Sequence, residues 1–142
     1  MTSLTVLRGL LTIGFAATLL SLPSGPAASA PAREGYADWG HTDARDQRLR
    51  EGCHGYRYRW QVKPPTDDWN LETVLRSPDG RKLAADLFHS QEDGNRGKAR
   101  FKVCGPATEP GRHVIRAKVI WRDGFDEHVS KLRPTRFALT RG

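Results

Sequence analysis

Hydrophobic and polar residues alternate strictly along the stretch that follows His54. The apolar members of this stretch are Tyr56, Tyr58, Trp60 and Val62. The residues between and after them are polar or charged, namely Arg57, Arg59, Gln61 and Lys63. Side chains of a strand point alternately to its two faces, so this period of two predicts a half-buried β-strand.

The same alternation predicts strands over residues 69–76, 99–103, 112–122 and 136–140. A further strand follows residue 80, with Leu83, Ala85 and Leu87 on its inward face. Short strands separated by frequent turns, without a clear helical period, predict an all-β fold. We expect a small antiparallel β-sandwich of about six to seven strands.

Prolines and glycines mark the breaks between these strands. Pro64-Pro65 ends the first strand, because proline has no N–H to donate to a ladder. Ser77-Pro78-Asp79-Gly80 has proline at its second position and glycine at its fourth, which predicts a type I turn between antiparallel strands.

The N-terminal segment has the pattern of a secretory signal peptide over residues 1–32. Arg8 precedes an apolar stretch from Gly9 to Leu22, which is shorter than the roughly 20 residues that a membrane-spanning helix needs. Small residues follow, with cleavage after Ala30 or Ala32 as the alternatives. We therefore expect export to the extracellular or cell-envelope space, with no transmembrane segment in the mature chain.

The mature chain divides into two parts by composition. Residues 33–52 are polar and predict a linker or an edge segment, and residues 53–142 carry the alternating pattern of the sandwich domain. Cys53 and Cys104 are the only two cysteines. In an oxidising compartment they predict one intramolecular disulfide, because a metal site needs more thiols or histidines at short spacing.

The domain resembles secreted bacterial β-sandwich modules of the immunoglobulin-like, fibronectin type III-like or pre-peptidase C-terminal type. The resemblance rests on the two cysteines and on motifs spread between residues 53 and 111. These motifs are Tyr56-Arg57-Tyr58, Trp69-x-Leu71, Ser77-Pro78-Asp79-Gly80 and Pro110-Gly111. It implies an accessory or recognition module without a transferable active site, with Trp60 or Trp69 packed against an inter-sheet disulfide.

Positive charge is the main indication of a binding role. The chain has 23 basic and 16 acidic residues, for a net charge of +7. Strand alternation places Arg57 and Arg59 on one outward face and Arg116 and Lys118 on another. If these strands are neighbours, the four residues form one patch that binds anionic groups through bidentate guanidinium contacts.

Other candidate chemistry has a simpler structural interpretation. The mature chain lacks G-x-S-x-G, H-E-x-x-H and Walker sequences, and its histidines are interpreted as surface residues, so no catalytic residue is assigned. Asp123–His128 holds three carboxylates and an imidazole, but a solvated hairpin turn is favoured over a cation site. No cofactor or metal is expected.

The sequence therefore predicts a secreted, non-enzymatic binding or accessory module. Its expected partner is an anionic cell-envelope polymer or a protein, and nucleic acid is the less favoured partner. The alternative is a small secreted enzyme or enzyme inhibitor that acts through its loops, such as Asp123–His128.

Overall fold

The computed structural model of the protein describes residues 35–104 and 108–142. The predicted signal peptide and both cleavage positions lie outside the described residues. The described part contains nine strands and one helical turn. They are β1 (Gly40–Asp43), β2 (Gln47–Arg48), β3 (Cys53–Val62), β4 (Trp69–Arg76), β5 (Lys82–His89), α1 (Ser90–Asp93), β6 (Arg96–Cys104), β7 (Gly111–Asp123), β8 (Asp126–Lys131) and β9 (Thr135–Thr140).

The strands form two sheets, and this confirms the predicted all-β sandwich. The three-stranded sheet has the order β1-β3-β6, and the six-stranded sheet has the order β2-β9-β7-β4-β5, with β8 paired to β7. The pairs are antiparallel except for the short pair β2–β9, which is parallel. The predicted turn at residues 77–80 joins β4 to β5 and is closed by a bond from Gly80 N to the Ser77 carbonyl (2.9 Å).

The core lies between the sheets and follows the predicted alternation. Its largest members on the three-stranded sheet are Tyr56, Tyr58, Trp60 and Phe101, and those on the six-stranded sheet include Trp69, Leu71, Leu75 and Ile115. The Tyr58 hydroxyl crosses the core, where it lies 2.8 Å from Thr73 Oγ1 and donates to Asp86 Oδ2 (2.7 Å). Burial raises the pKa of Tyr58, so this phenol stays neutral and remains a donor.

The prediction for the inward face of β5 is confirmed for Leu83, which packs against the core, and is wrong by one residue for Ala85 and Leu87. The register pairs Leu71 with Phe88 and Thr73 with Asp86, so Phe88 and Asp86 face inward, whereas Leu87 is 51% exposed. The register shifts between Leu75 and Arg76, so that β5 contains one extra residue, Leu83, opposite β4. Beyond this bulge, the β5 side chains that face the core are shifted by one position from those expected by counting from the turn. The inward Asp86 is tolerated because its carboxylate accepts the hydrogen bond of the buried Tyr58 hydroxyl.

Residues 35–52 contribute to both sheets. β1 pairs with β3, and β2 pairs with β9, so this polar segment passes from an edge of one sheet to an edge of the other. Trp39 packs edge to face on Trp121 with ring centroids 5.3 Å apart. Backbone bonds from Ala37 N to the Lys131 carbonyl and from Leu49 N to the Thr140 carbonyl, both 2.9 Å, secure the segment further.

Cys53 and Cys104 form the predicted disulfide, but they do so within one sheet. The two residues are direct partners across the β3–β6 ladder, and both are exposed on its outer face. The tryptophan packing implied by the immunoglobulin resemblance is therefore wrong. Trp60 and Trp69 lie on the inward faces and pack against each other, with ring centroids 6.1 Å apart.

Candidate functional site

The four basic residues predicted to form one patch lie on different sheets. Arg57 and Arg59 belong to β3, which pairs with β1 and β6, whereas Arg116 and Lys118 belong to β7, which pairs with β4, β8 and β9. All four alternate with core residues of their own strand, so they point away from the core. The two pairs therefore lie on opposite outer faces of the sandwich, and the structure does not bring them together.

On the outer face of the six-stranded sheet, Lys118 and Arg122 are paired with carboxylates, whereas Arg112, Arg116 and Arg136 form no ion pair with a described residue. Lys118 lies opposite Glu72 in the β4–β7 register, and its Nζ is 2.9 Å from Glu72 Oε2. Arg122 binds Glu127 at 2.8 Å and lies 3.6 Å from Asp68. This is the mixed charge pattern of an ordinary solvated sheet, so Lys118 is a weaker candidate for ligand binding.

The outer face of the three-stranded sheet has a different charge pattern. Arg57 is the direct register partner of Arg100, and Arg59 is the direct partner of Lys98. We call Arg57, Arg59, Lys98 and Arg100 the basic quartet. None of the four forms an ion pair with any residue that the structure describes. Directly opposed side chains on antiparallel strands have Cβ atoms roughly 5 Å apart, so the quartet concentrates positive charge.

The quartet lies in a groove of about 1350 Å³. The floor comes from β3 and β6, and one side comes from residues 43–50. The groove is lined by seven cationic side chains, namely Arg45, Arg48, Arg50, Arg57, Arg59, Lys98 and Arg100. Six of the seven are arginines, whose planar forks suit bidentate binding of oxyanions.

Gln47 fixes the side of the groove against β3. Its side-chain Nε2 donates to the Arg57 carbonyl, and its Oε1 accepts from Arg57 N, both at 2.9 Å. β1 pairs with β3 only from Arg59 to Val62, so the backbone of Arg57 has no strand partner on that edge. The Gln47 amide makes the two hydrogen bonds that a neighbouring strand would otherwise make there. Because both bonds go to the Arg57 backbone, they position the quartet without using the guanidinium group.

Two carboxylates also line the groove. Asp46 accepts a hydrogen bond from Ala138 N (2.7 Å), so it joins the segment to β9. Asp43 is the register partner of Arg59 at the end of β1, without an ion pair between them. The groove therefore keeps a clear excess of positive charge.

His113 is the buried exception to the predicted surface histidines. Its side chain is fully buried, with Nδ1 3.0 Å from the Gly111 carbonyl and Nε2 without a hydrogen-bond partner in the described residues. The ring packs near Phe137, with centroids 6.0 Å apart. Burial lowers the pKa of His113 below its ordinary value, so the neutral ring donates from Nδ1.

Because His113 is buried with a lowered pKa, we expect the folded protein to lose stability in mild acid. The folded-state pKa is depressed, so below the ordinary value of about 6.5 the unfolded chain binds a proton that the folded protein does not bind. We expect the free energy of unfolding to fall as pH decreases from 7 to 5. His113→Asn keeps a side-chain donor and cannot titrate, so urea unfolding at several pH values should show a smaller decrease for the variant. Equal pH slopes for the two proteins would contradict this role.

The acidic loop considered as a cation site is part of a hairpin. Gly124, with φ of 63°, turns the chain between β7 and β8, and Glu127 binds Arg122. Residues 35–104 and 108–142 contain no group of three or more His, Cys, Asp or Glu side chains placed to hold a metal ion. Within the same residues, no helix has the length and hydrophobicity needed to cross a bilayer.

Lys98 and Arg100 are the members of the quartet that sequence reasoning did not select. Their strand was predicted from Ala99, Phe101 and Val103, and the same alternation places both cations on the outer face. The missing information was that β3 pairs with β6 rather than with β7.

No protein-family model matches the chain, and the search of curated proteins found no significant match. The functional argument therefore depends on the chemistry of the groove.

Proposed function

We propose that this protein is a secreted, non-enzymatic β-sandwich module that binds an anionic polymer of the cell envelope through its basic groove. The observation that carries the proposal is the direct pairing of Arg57 with Arg100 and of Arg59 with Lys98, without a neutralising carboxylate bound to any of them. A bound polyanion supplies the charge that the sheet itself lacks.

Solubility alone does not account for this arrangement. Like charges directly opposite each other in a sheet are destabilising, whereas interspersed charges of both signs give equal solubility. The six-stranded sheet uses that second arrangement at Lys118 and Glu72. The contrast between the Lys118–Glu72 pair and the directly opposed cations of β3 and β6 supports a binding role for the basic quartet.

The size of the groove favours a polymer over a small ligand. Sites for small molecules usually enclose about 300–1,000 Å³ and bury most of the ligand surface. At about 1350 Å³, this groove is larger, and most of its cationic side chains are exposed. An extended chain can contact several of these cations at once, and each contact releases counterions.

The proposed location rests on two independent features. The N-terminal sequence has the order of charged, apolar and small residues found in signal peptides, and Cys53 is bonded to Cys104. Disulfides persist mainly in oxidising compartments such as the extracellular space. The resemblance to secreted accessory modules agrees with a binding role that needs no catalytic residue.

Neutralising the quartet should remove binding while the domain stays folded. For R57Q/R59Q/K98Q/R100Q we expect at least about a 100-fold loss of affinity for isolated cell envelopes, because roughly 1 kcal/mol per cation is lost. Thermal stability should remain equal or rise slightly, since like-charge repulsion is removed. Cosedimentation with envelopes across a salt series, together with a melting curve, measures both effects.

The matched control removes the same charge elsewhere. R112Q/R116Q/R133Q/R136Q changes four exposed arginines without touching the groove lining. This variant should retain most of the affinity and the salt dependence of the parent. Equal losses for the two variants would show that net charge, rather than the groove, determines binding, and would reject the proposed site.

A further inference from the structure

β6 leaves one edge of the three-stranded sheet open. It is the last strand in the order β1-β3-β6, and β3 is its one strand partner among the residues that the structure describes. The ladder between β3 and β6 runs without a register shift from the Cys53–Cys104 pair to the Gln61–Arg96 pair. The open edge is therefore a regular extended strand of nine residues.

The backbone groups on this open edge belong to the residues that carry positive charge. Val62 N donates to the Asn95 carbonyl (2.9 Å), and these two residues continue the β3–β6 register. Hydrogen-bonded and non-hydrogen-bonded pairs alternate along an antiparallel ladder, so Ala99 and Phe101 bond to β3. The N–H and C=O groups of the alternate residues point away from β3. These residues are Arg96, Lys98, Arg100 and Lys102, which we call the cation row.

Hydrogen bonds on both sides of the ladder agree with this alternation. Arg57 is the register partner of Arg100, and its own N–H and C=O bind the Gln47 side-chain amide on the far edge of β3. At the end of β6, the Cys104 carbonyl accepts from Thr108 Oγ1 (3.1 Å). Within the described residues, no strand or turn supplies a hydrogen-bond partner for the outward backbone groups of the cation row.

The side chains of the cation row are exposed at every second position of β6. Phe101 and Val103, which alternate with them, are buried in the core. No member of the row forms an ion pair with a described residue. A strand added to this edge would place a side chain directly opposite each cation, with Cβ atoms about 5 Å apart. Acidic side chains at every second position of the added strand therefore match the row.

The inner face of the same edge determines the residues between the acidic ones. Gly97 and Ala99 alternate with the cations and are half-buried. A Cβ atom on Gly97 would lie 2.8 Å from Trp60 Cζ2, so the indole ring already fills that space. Residues of an added strand opposite Gly97 and Ala99 would lie beside the apolar core. Apolar residues between the acidic ones suit these positions.

The other sheet edges are shorter or less regular than β6. β1 has four residues, β2 has two, and the ladder between β4 and β5 contains a register shift. Proteins use short and bulged edges, as well as charged ones, to prevent association with other chains. The protection of β6 is positive charge, which repels a basic strand but attracts an acidic one.

A second copy of this chain does not supply the matching strand. Two β6 edges would place cations opposite cations, and like charges directly opposite each other are destabilising. No two of the 16 acidic residues of the chain lie two positions apart in the sequence. The acidic strand therefore has to come from a different protein.

We infer that β6 binds an extended segment of another protein, which adds to the sheet as an antiparallel strand with acidic residues at every second position. Main-chain hydrogen bonds supply affinity, and the alternation of acidic and apolar residues supplies specificity. Residues 96–102 span about 20 Å at roughly 3.4 Å per residue, so the edge accepts a segment of about seven residues. This interaction goes beyond the proposed function, because a polyanion in the groove does not need the β6 backbone.

Short synthetic peptides test the strand addition. The probe is acetyl-Glu-Val-Glu-Thr-Glu-Val-Glu-amide, and a peptide of the same composition with its four glutamates in succession is the charge-matched control. With the purified, disulfide-bonded protein, the alternating peptide should bind at least about tenfold more tightly than the control. Equal affinities would show that charge alone holds the peptide, and would overturn the inference.

N-methylated forms of the alternating peptide test its hydrogen bonds. In antiparallel addition the glutamate N–H groups face β6 and the valine N–H groups face away. N-methylation of the two central glutamates should weaken binding at least about tenfold, whereas N-methylation of the two valines should change it less than about threefold. The reverse order would contradict the proposed pairing.

Amide hydrogen exchange shows whether the β6 backbone takes part. The Lys98, Arg100 and Lys102 amides face the open edge and should exchange at least about tenfold more slowly when the alternating peptide is bound. The Ala99 and Phe101 amides bond to β3 in both states and serve as the internal reference. Unchanged exchange at the three open-edge amides would overturn the strand addition.

Arg96 and Lys102 separate this site from the basic groove, because they belong to the open edge and do not line the groove. R96Q/K102Q should weaken the alternating peptide at least about fivefold and leave envelope binding close to that of the parent. R133Q/R136Q removes the same charge from exposed positions elsewhere and should change neither. Equal effects of the two double variants on the peptide would reject the edge as its binding site.

The outcomes also separate this inference from the proposed function. Envelope binding that depends on the quartet, together with no binding of the alternating peptide, would reject the strand addition alone. Peptide binding with slowed exchange at the cation row, together with no envelope binding, would support the strand addition and reject the polymer.

Discussion

Replacing Cys53 and Cys104 together with alanine is expected to lower the free energy of unfolding by about 4 kcal/mol. The two cysteines are separated by 51 residues, and the chain-entropy model gives this value for a loop of that length. Both side chains are exposed on the outer face, so their removal leaves no cavity in the core. For a domain of this size, the melting temperature should fall by roughly 15 °C.

Guanidinium unfolding of the double variant and of the chemically reduced parent measures this effect in two independent ways. Both should show the same loss, because each removes the covalent link and leaves the β3–β6 ladder in place. The variant should still bind envelopes at temperatures where it is folded, since the quartet is held by backbone pairing. A change below about 1 kcal/mol in both experiments would show that the ladder alone secures the ends of β3 and β6.

The disulfide also shows which parts of the fold were accessible from sequence. The pair of cysteines and the inward faces of β3, β4, β7 and β9 follow from local patterns, since a period of two needs no knowledge of neighbouring strands. Strand pairing is not local. The sequence does not state that Cys53 lies opposite Cys104 within one sheet, and so the expected inter-sheet bridge was wrong.

Two elements were mispredicted because their side chains give a misleading pattern. β5 carries leucines at its exposed or intermediate positions and Asp86 at an inward position, and the register shift reverses the expected phase. No strand was predicted at β8, because Asp126–Lys131 has no alternating apolar face and Asp123–His128 was interpreted as a hairpin turn. Its strand exists because β9 pairs only with Gly111–Ile115 of β7, which leaves the same edge of β7 open for β8 from Lys118 to Asp123.

Only part of the basic quartet was predicted from the sequence, because strand pairing is not a local property. Arg57 and Arg59 were selected because their outward direction follows from β3 alone. Their true companions, Lys98 and Arg100, depend on the pairing of β3 with β6, and the closing side of the groove depends on Gln47. Gln47 lies in a polar segment whose sequence gives no sign that its side-chain amide completes a ladder.

Phe101→Ala is expected to destabilise the domain by about 3–5 kcal/mol, because a fully buried aromatic ring is lost and a cavity remains. The Phe101 ring stacks on Tyr58 with centroids 4.3 Å apart and an interplanar angle of 7°. The Tyr58 hydroxyl is held between Thr73 and Asp86, so Tyr58 cannot move into the vacated space without losing these hydrogen bonds. The cost should therefore lie near the upper end of the range.

Phe125→Ala is the matched control, since the same side-chain atoms are removed from a fully exposed ring at the turn between β7 and β8. Urea unfolding should show a change within about 0.5 kcal/mol for this variant. The midpoint of Phe101→Ala should fall strongly with an unchanged slope, which means that the folded state remains the same sandwich. A loss below about 2 kcal/mol would show that Tyr58 and its partners rearrange to fill the cavity. In that case the Phe101–Tyr58 stack is not the rigid base on which β3 and β6 present the basic quartet.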